Sequence, residues 1–397
     1  MDTEIKRDNY LEKLLVRRNN GLIKVVTGLR RCGKSYLLGT LFKNHLINEG
    51  VPQDHIIEMS FDLFENLEYR NPKVFYPWVQ KQLKDDGQYY ILLDEVQLMQ
   101  EFVSVLNGLA AKKNCDVYVT GSNARFLSRD IATEFGGRGD EVHMYPLSFA
   151  EFMTVYKGHY YDGFREYMTY GGIPIVVLAQ TPEQKMALLD SLFTETYIRD
   201  IRIRNKLRNV GEMGTLLDIL SSSVGSLTNP NKLCNTFHSV NKSKITATTI
   251  IKYIGYLEDS FLIEEAKRFD IRGKSYIGTP QKYYFTDLGL RNARIGYRQT
   301  EVTHSMENII YNELRIRGFK VDVGNLSITE QDKNRKPVKK QLEVDFICTK
   351  ASKKYYIQSA YLLETPEKTK QEIRPFLKIS DSFKKIVITS DTPRSEE

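Results

Sequence analysis

The stretch Gly28–Ser35, with the sequence GLRRCGKS, fits the pattern GxxxxGK(S/T) without a mismatch. The short apolar run Leu22–Thr27 precedes it, and a helical pattern from about Lys34 to Ile47 follows it. Glycines allow the backbone to wrap closely around a phosphate group, and the amides of such a loop and of the helix N-terminus direct positive partial charge towards the anion. The stretch therefore predicts a phosphate-binding loop, or P-loop, between a strand and a helix.

Residues of this loop have different predicted roles in binding ATP. Lys34 is expected to contact the β- and γ-phosphates and to act in catalysis, and Ser35 is expected to bind a Mg²⁺ ion. The other residues predicted to bind the nucleotide are Gly28, Arg31, Cys32, Gly33 and Tyr36. The cofactors that the sequence predicts are therefore ATP and Mg²⁺.

A second motif, Tyr90–Glu95 (YILLDE), follows the P-loop by about 60 residues. Its apolar residues predict a buried strand that ends in two carboxylates. Asp94, at the end of the strand, is predicted to hold Mg²⁺, and Glu95 is predicted to polarise the attacking water. An acidic pair after an apolar run is common, but after a P-loop it indicates hydrolysis of ATP.

Two further catalytic residues are predicted with alternatives left open. The strand Val117–Thr120 leads towards Ser122 and Asn123, and one of these is expected near the γ-phosphate. The alternative is a turn that only caps the strand. Arg138 is a candidate for stabilising the transition state, from the same chain or from a neighbouring one. A solvated or structural role for this arginine is equally open.

Apolar runs alternate with helical patterns in the first third of the chain. Besides Leu22–Thr27, the predicted strands are His55–Phe61, Tyr89–Leu93 and Asp116–Thr120. Buried apolar strands separated by helices are typical of a parallel sheet with both faces covered. The predicted fold class is therefore α/β, beginning with the parallel sheet of a P-loop NTPase.

Composition limits the class of protein and its location. The 397 residues suggest two or three domains, and a hydrophobic share of 41% is enough to form cores. No run approaches the roughly 18 apolar residues of a membrane helix, and Met1–Arg18 has no apolar signal-peptide core, so a cytoplasmic location is expected. The four cysteines lack zinc-ligand spacing. The net charge of +7 is compatible with nucleic acid but does not require it.

The chain resembles the prokaryotic AAA-type ATPases that carry a winged-helix segment and a C-terminal domain of unknown function with a restriction-endonuclease-like fold. The matching blocks span nearly the whole chain: GLRRCGKS, ILLDEVQ, VTGSNARFLS, GGRGDEVHMYPLSFAEF, YGGIP, YIRDI, KYYFTDLGLRNA, MENIIYNELRIRGFKV and LEVDFI. The resemblance implies an ATPase core whose acid pair maps to Asp94 and Glu95. Its polar sensor maps to Ser122–Asn123, and its Gly-Arg block maps to Arg138.

Four domains are expected along the chain. They are an AAA-type ATPase core at 1–148, a helical lid or linker at 149–208, a winged helix at 209–296 and a restriction-endonuclease-like α/β domain at 297–397. The resemblance does not settle what the ATPase acts on.

The segment Leu216–Phe285 has the outline of a winged helix and predicts contact with DNA. Thr246–Leu257 is the candidate recognition helix, which would enter the major groove, with its isoleucines Ile250, Ile251 and Ile254 on one face together with Leu257. Basic residues near this helix and in the predicted wing are Lys242, Lys244, Lys252, Arg268, Arg272 and Lys274. A module used only for packing or assembly is the alternative. The basic segment Tyr197–Arg208 is a further candidate for phosphate contact, or else a solvated face or a protein interface.

The nuclease site implied for the C-terminal domain is incomplete. Glu307 or Glu313 on a helix and Asp345 in a strand could hold a metal ion. The next strand has Gln358–Ala360 (QSA) where a nuclease needs an acid and a lysine spaced ExK. The lysine pair Lys353–Lys354, just upstream, could replace the missing lysine. We expect no nuclease activity and a degenerate domain that binds DNA or protein.

These expectations describe a Mg²⁺-dependent ATPase that couples ATP binding and hydrolysis to acting on DNA, by binding or remodelling it, with branched DNA as one candidate. A homo-oligomer and weak sequence specificity are expected. The alternative is a nucleotide-dependent signalling or defence switch with a protein partner, which a protein rather than DNA would stimulate. A third reading, a metal-dependent nuclease, is disfavoured by Gln358 and Ala360.

Overall fold

The computed structural model describes residues 4–121, 137–207, 209–241, 243–298, 301–331 and 336–390. The chain divides into two compact units. The first consists of Met1–Lys157, Ile173–Leu178 and Asp259–Phe261, and the second of Gly158–Gly172, Ala179–Glu258 and Leu262–Glu397. Among the described residues, no helix is long and apolar enough to cross a bilayer.

The first unit is built on a sheet of parallel strands. They are β1 (Ile23–Gly28), β2 (Ile56–Ser60), β3 (Tyr89–Asp94), β4 (Cys115–Thr120) and β5 (Gly139–Met144). Their order across the sheet is β2-β3-β4-β1-β5, and every neighbouring pair is parallel. β1 is buried throughout, as expected of a strand that is covered on both faces. The predicted α/β fold with the parallel sheet of a P-loop NTPase is confirmed.

A helix follows β1 directly and begins at the end of the P-loop. It has three consecutive parts: Lys34–Tyr36, the π-helical turn Leu37–Phe42, and Lys43–Asn48. Further helices of the first unit are Asp8–Leu15, Pro72–Gln82, Phe102–Ala110, Phe149–Met153 and Pro174–Val177. The start of Pro72–Gln82 follows from its sequence, because Pro72 takes the first helical position and the side chain of Asn71 accepts a hydrogen bond from the amide of Lys73.

Helices make up the first half of the second unit. They are Tyr160–Tyr170, Pro182–Ser191, Arg199–Arg204, Val210–Ser222, Pro230–Asn241 and Ala247–Asp259, with Leu288–Arg294, Val302–Ile316 and Pro366–Leu377 further along. In Ala247–Asp259, Ile250, Ile254 and Leu257 share a buried face, but Ile251, which was predicted on the same face, is 57% exposed. Consecutive helical residues point about 100° apart, so Ile250 and Ile251 do not share a narrow buried face, and the prediction for Ile251 is wrong.

The second unit contains a six-stranded sheet. Its strands are β6 (Ile263–Asp270), β7 (Ser275–Phe285), β8 (Lys320–Gln331), β9 (Pro337–Lys350), β10 (Lys353–Ser359) and β11 (Lys384–Ile388), in the order β11-β10-β9-β8-β6-β7. The hairpin of β6 and β7 follows three helices, which is the order of elements in the expected winged helix. Because β6 also pairs with β8, this hairpin shares one sheet with the C-terminal strands. The winged-helix assignment and the domain boundaries stay predictions.

The helix Val302–Ile316 packs on this sheet through Met306, Ile310 and Leu314, which join Val323 and Phe346 in one buried cluster. The helix Pro366–Leu377 contributes Phe376 to a second cluster with strand residues of β8, β9 and β10. These clusters hold the second unit together and fix the positions of the polar side chains described below.

Candidate nucleotide-binding site

Four parallel strands of the first unit end at the same edge of its sheet. β1 ends at Gly28, the first residue of the P-loop, and β3 ends at Asp94. β4, which lies between them, ends at Thr120, and β2, next to β3, ends at Ser60. The carboxyl edge of a parallel sheet is where such folds bind ligands. The sheet order thus brings the P-loop and the second motif together, although they are far apart in the sequence.

Two glycines of the P-loop have backbone conformations that exclude a side chain. Gly28 has φ +136°, and a Cβ atom there would lie 2.0 Å from the carbonyl oxygen of Met144 on β5. Gly33, with φ +102°, directly precedes the helix that starts at Lys34. Between them Arg31 also has a positive φ of 64°. These angles curl the loop tightly, which is the shape that a backbone needs to wrap around a phosphate group.

The ammonium group of Lys34 lies inside this curl. Its Nζ atom donates hydrogen bonds to the carbonyl oxygens of Gly28 at 3.0 Å and Leu29 at 2.9 Å, and the residue is 4% exposed. Neutral carbonyls leave the positive charge of a buried ammonium uncompensated, and an anion would compensate it. The loop therefore fits a phosphate group, and Lys34 is the residue that would bind it.

Three hydroxyl groups surround the carboxylate of Asp94. Ser35 Oγ donates to Asp94 Oδ1 at 2.9 Å, Thr120 Oγ1 donates to the same oxygen at 2.5 Å, and Ser60 Oγ donates to Oδ2 at 3.2 Å. A small cavity of about 90 Å³, lined by Ser35, Ser60 and Asp94 among others, adjoins them. Carboxylate and hydroxyl oxygens are the ligands that Mg²⁺ takes beside nucleotide phosphates. The donor set fits this ion, with Ser35 and Asp94 as the residues that would hold it.

Glu95 follows Asp94 in a constrained conformation. Its φ is +50°, which is uncommon for a residue with a side chain, and its amide donates a hydrogen bond of 2.9 Å to Thr120 Oγ1. The side-chain amide of Gln97 donates to its carboxylate. The backbone of Glu95 is thus fixed by the same threonine that contacts Asp94, so the two acidic residues are positioned together.

Among the remaining predicted catalytic residues, the structure describes only Arg138. Ser122 and Asn123 lie outside the described residues. Arg138 is exposed at the start of β5, and its carbonyl accepts a hydrogen bond from the amide of Ile23 at the start of β1. Since β1 and β5 are parallel and in register, with Gly28 opposite Met144, Arg138 lies at the opposite edge of the sheet from Gly28, about 20 Å away at the usual rise per strand residue. A contact between Arg138 and phosphates bound by its own chain does not fit this placement.

The remaining predicted loop residues differ in exposure. Arg31 is exposed and Tyr36 is 37% exposed, whereas Cys32 is fully buried. The carbonyl oxygen of Cys32 accepts a hydrogen bond from the buried side chain of Arg7. Sequence reasoning missed Arg7, Ser60 and Thr120. A hydroxyl residue at the end of an apolar strand was a usable signal for Ser60 and Thr120, but nothing in the sequence pairs Arg7 with a backbone carbonyl of the loop.

Comparisons with known proteins agree with this geometry. Residues 20–153 match the model of the AAA domain family, and residues 161–301 match that of a domain of unknown function, DUF8612. An uncharacterized protein of Haemophilus influenzae is 36% identical over 391 residues, which cover 97% of this chain and 93% of that protein. The chain belongs to this family of AAA-domain proteins.

Two more distant similarities extend the comparison. The uncharacterized protein MJ1544 of Methanocaldococcus jannaschii is 26% identical over 381 residues, which cover 91% of this chain and 79% of that protein. The solved structure of the Walker-type ATPase PABY2304 of Pyrococcus abyssi superposes with a TM-score of 0.53 and 14% identity, covering 74% of this chain and 96% of that one. At this identity the structural similarity shows the fold alone.

Outside the AAA domain, the second unit brings four charged side chains together. We call Lys282, Glu307, Glu343 and Asp345 the ion cluster; Glu343 is partly exposed and the other three are buried. Lys282 Nζ lies 2.9 Å from Glu307 Oε1 and 2.7 Å from Glu343 Oε1, and the hydroxyl of Tyr284 donates to Glu307 Oε1 at 2.6 Å. Burial would lower the pKa of Lys282, but the carboxylates of Glu307, Glu343 and Asp345 outweigh it and raise this pKa. Burial and the neighbouring Glu307 raise the pKa of Asp345 well above its usual range.

The two helix carboxylates considered for a metal site, Glu307 and Glu313, have different partners. Glu307 is the helix acid beside Asp345, whereas Glu313 forms an ion pair with Arg317. The lysine beside them is Lys282, which sequence reasoning missed because it lies on β7, in a different expected domain. Lys354 instead lies 3.9 Å from Asp381, and Lys353 is exposed.

Proposed function

We propose that this AAA-domain protein is a Mg²⁺-dependent ATPase that couples ATP binding and hydrolysis to acting on DNA, by binding or remodelling it, with branched DNA among the candidate substrates. The observation that carries the ATPase part is the meeting of Ser35, Asp94 and Thr120 at the sheet edge, directly after the buried Lys34. Such an arrangement of one cation, one carboxylate and hydroxyls is what phosphoryl transfer requires.

Each residue of the site has a separate role in the proposed hydrolysis. When bound, ATP with Mg²⁺ supplies a γ-phosphate that water can attack in line. Lys34 neutralises charge on the phosphates, and Ser35 and Asp94 hold the cation. Glu95 orients the water and accepts its proton, a task for which its backbone is already fixed by Thr120.

The action on DNA is supported by the basic residues of the second unit. Lys244 precedes the helix Ala247–Asp259, and Lys252 lies on its exposed side. Arg272 and Lys274 are exposed in the turn between β6 and β7. Arg268, which we expected in the same set, is 6% exposed and bonded to Asn325, so it is not part of this surface. Scattered exposed cations suit phosphate contacts without base reading, which favours weak sequence specificity.

A protein partner is the second candidate, as in a nucleotide-dependent signalling or defence switch. The observation that favours it is Ile251, 57% exposed beside Lys252 on the same helix. An exposed apolar side chain in the middle of a helix face suits a protein surface better than a phosphate backbone.

We also propose that the chain assembles as a homo-oligomer in the cytoplasm. Arg138 lies too far from its own P-loop to contact phosphates there, so a catalytic role for this arginine requires a neighbouring chain. In a ring or filament one chain can present an exposed arginine to the nucleotide of the next, as arginine fingers do.

The test is the rate of ATP hydrolysis by the full chain with no DNA and with duplex, single-stranded and branched DNA. DNA should stimulate the wild type and leave Lys34→Ala inactive. Turnover that no DNA changes, combined with stimulation by a protein fraction that has been freed of nucleic acid, would replace the DNA proposal by the switch. The absence of turnover under all conditions would overturn the ATPase itself.

A further inference from the structure

The second unit contains an open cleft of about 560 Å³ where two strands of its sheet diverge. β6 and β8 pair only from Arg268 opposite Val323 to Asp270 opposite Asn325. Before this point residues of both strands line the cleft, together with four residues of β7 and two of the helix Val302–Ile316. We call this cleft the strand cleft. Its charged and aromatic lining residues include Glu265, Lys267, Tyr276, Arg315, Lys320 and Asp322.

Charge in the strand cleft changes from its rim to its interior. Lys267 and Lys320 are exposed, whereas Asp322 is 8% exposed. Arg315 is partly buried and forms an ion pair with Glu264 at 2.9 Å. Glu265 is partly buried, and burial raises the pKa of both Glu265 and Asp322. The lysines at the mouth of the cleft can therefore bind an anionic group of a ligand. The carboxylates further inside can accept hydrogen bonds from the ligand.

An aromatic ring is held in position between these regions. Tyr276 is 50% exposed, and its hydroxyl donates a hydrogen bond of 3.1 Å to Asp322 Oδ2. The rings of Phe269 and Tyr276 meet edge to face, with their centres 5.3 Å apart. Lys320 Nζ lies 5.3 Å from the centre of the Tyr276 ring. The ring is therefore fixed by contacts on several sides while half of the residue faces solvent. Exposed, oriented tyrosines of this kind are the surfaces on which nucleobases stack.

We propose that the strand cleft binds a nucleotide unit whose base carries an exocyclic amino group, either as a free nucleoside monophosphate or as the end of a nucleic-acid strand. The base stacks on Tyr276, its phosphate lies near Lys267 and Lys320, and its amino group donates to Asp322 or Glu265. Carboxylates accept from the N4 amino group of cytosine, which thymine and uracil lack. The volume is within the range of small-molecule sites. Binding of a nucleic-acid end rests on the proposed action on DNA, whereas binding of a free nucleoside monophosphate does not.

The experiment measures binding by calorimetry in the full chain carrying Lys34→Ala, so that the P-loop does not contribute. The probes are dCMP, dTMP, and short oligodeoxycytidine with and without a 5′-phosphate. We expect dCMP to bind about tenfold more tightly than dTMP, since one good base contact discriminates by that order. Tyr276→Ala should weaken dCMP binding about tenfold, the usual loss for one stacked base. Tyr276→Phe should keep the binding, since it retains the ring.

Matched controls come from the same unit. Tyr160→Ala removes another exposed tyrosine, and Lys339→Gln another exposed lysine on β9; neither should change dCMP affinity. Lys320→Gln should weaken dCMP but not deoxycytidine, which has no phosphate. If Tyr276→Ala does not fold, Asp322→Asn serves instead and should abolish the preference for dCMP over dTMP.

Each outcome decides the inference. Tighter binding of the 5′-phosphorylated strand than of dCMP assigns the site to nucleic-acid ends, and the reverse assigns it to free nucleotides. Equal affinity for dCMP and dTMP, or no binding of any probe, overturns it. ATP hydrolysis stimulated by DNA in a Tyr276→Ala variant of otherwise wild-type sequence would show that the proposed function stands without this cleft.

Discussion

The guanidinium of Arg7, near the start of the chain, donates a hydrogen bond of 3.0 Å to the carbonyl oxygen of Cys32 inside the P-loop. Arg7 is 2% exposed, and it also donates to the carbonyl of Tyr145 at 2.7 Å and pairs with Glu151 at 3.0 Å. A buried guanidinium therefore holds the backbone of the P-loop, although Arg7 is not part of the P-loop motif. Removing that group should alter the position of the Cys32 backbone while every residue predicted to bind ATP keeps its identity.

Arg7→Met should weaken ATP binding and destabilise the protein. The substitution leaves Glu151 without its cation and two carbonyls without their donor, and breaking a buried ion pair costs about 3–5 kcal/mol. Urea unfolding measures stability, and calorimetry with a non-hydrolysable ATP analogue measures affinity in the folded protein. Arg17→Met is the control, because Arg17 pairs with Asp140 and is half-buried. Loss of stability with unchanged affinity for the analogue would show that Arg7 does not position the loop.

Local patterns predicted the sheet of the AAA domain well. Four of its strands were predicted from largely apolar runs, whereas β5, with the sequence GDEVHM, is not an apolar run and was not predicted. The P-loop pattern and the pair Asp94–Glu95 each lie within a few residues of a strand end. The contacts of Thr120 with Asp94 and of Arg7 with Cys32 follow from the order of strands and from packing. The partners are too far apart in the sequence for a short motif to predict these contacts. The same holds for Lys282, which reaches Glu307 across 25 residues because β7 lies against the helix that carries this acid.

Lys34→Ala should abolish binding of ATP. Lys34 Nζ is the cation inside the loop, held by the carbonyls of Gly28 and Leu29, and alanine leaves those two carbonyls and the bound phosphates without it. Binding of a fluorescent ATP analogue measures this effect. Lys43→Ala, which removes a partly buried lysine of the same helix that pairs with Glu58 on β2, should bind ATP normally. Equal affinity of Lys34→Ala and wild type would reject the P-loop assignment.

Glu95→Gln should keep ATP binding and lose hydrolysis by about 100-fold or more, since an amide does not accept the proton of the attacking water. Single-turnover hydrolysis and analogue binding, measured on the same preparation, separate the two effects. Glu101→Gln is a close control because Glu101 has the same left-handed backbone conformation, with φ +46°, and is exposed. Undiminished turnover in Glu95→Gln would exclude Glu95 as the base.

DNA affinity should fall steeply with salt, and the double variant Lys252→Gln, Arg272→Gln should make the fall shallower. Each phosphate contact contributes close to one unit to the slope of log affinity against log salt concentration, so the slope should change by about two. Fluorescence anisotropy with duplexes of unrelated sequence measures both slope and specificity. The pair Lys339→Gln, Lys353→Gln removes two exposed lysines elsewhere on the second unit and should leave the slope unchanged.

Asp345 should make the second unit less stable as the pH rises. Its pKa is raised in the folded state, so between about pH 4 and that raised value the folded chain binds more protons than the unfolded chain, and the free energy of unfolding falls with increasing pH. Asp345→Asn removes this fall. Urea unfolding should show similar stability of variant and wild type near pH 4 and a more stable variant at about pH 9, by about 1.4 kcal/mol for each unit of pKa shift.

The same slope in Asp345→Asn and wild type would mean that Asp345 is ionised in the folded protein. The matched control is Asp190→Asn, which replaces an exposed aspartate on the helix Pro182–Ser191 and should not alter the slope. The amide of asparagine can still accept the hydrogen bond that Ser359 donates to Asp345 Oδ2 at 2.7 Å, so the variant should fold.

The purified protein should not cut DNA in the presence of Mg²⁺ or Mn²⁺. A hydrolytic metal site needs carboxylates that are available to the cation and a base or lysine that manages the water. Here Lys282 already engages Glu307 and Glu343, and the carboxylate of Asp345 accepts a hydrogen bond from the amide of Ser359. Gln358 accepts from the backbone amide of Asp345 and donates to Glu372. Ala360 offers no functional group. A supercoiled plasmid and a branched substrate, incubated with wild type and with Asp345→Ala, provide the assay. Cleavage by the wild type that disappears in Asp345→Ala would mean that a metal ion displaces Lys282 from these carboxylates and that the chain is an ATP-coupled nuclease.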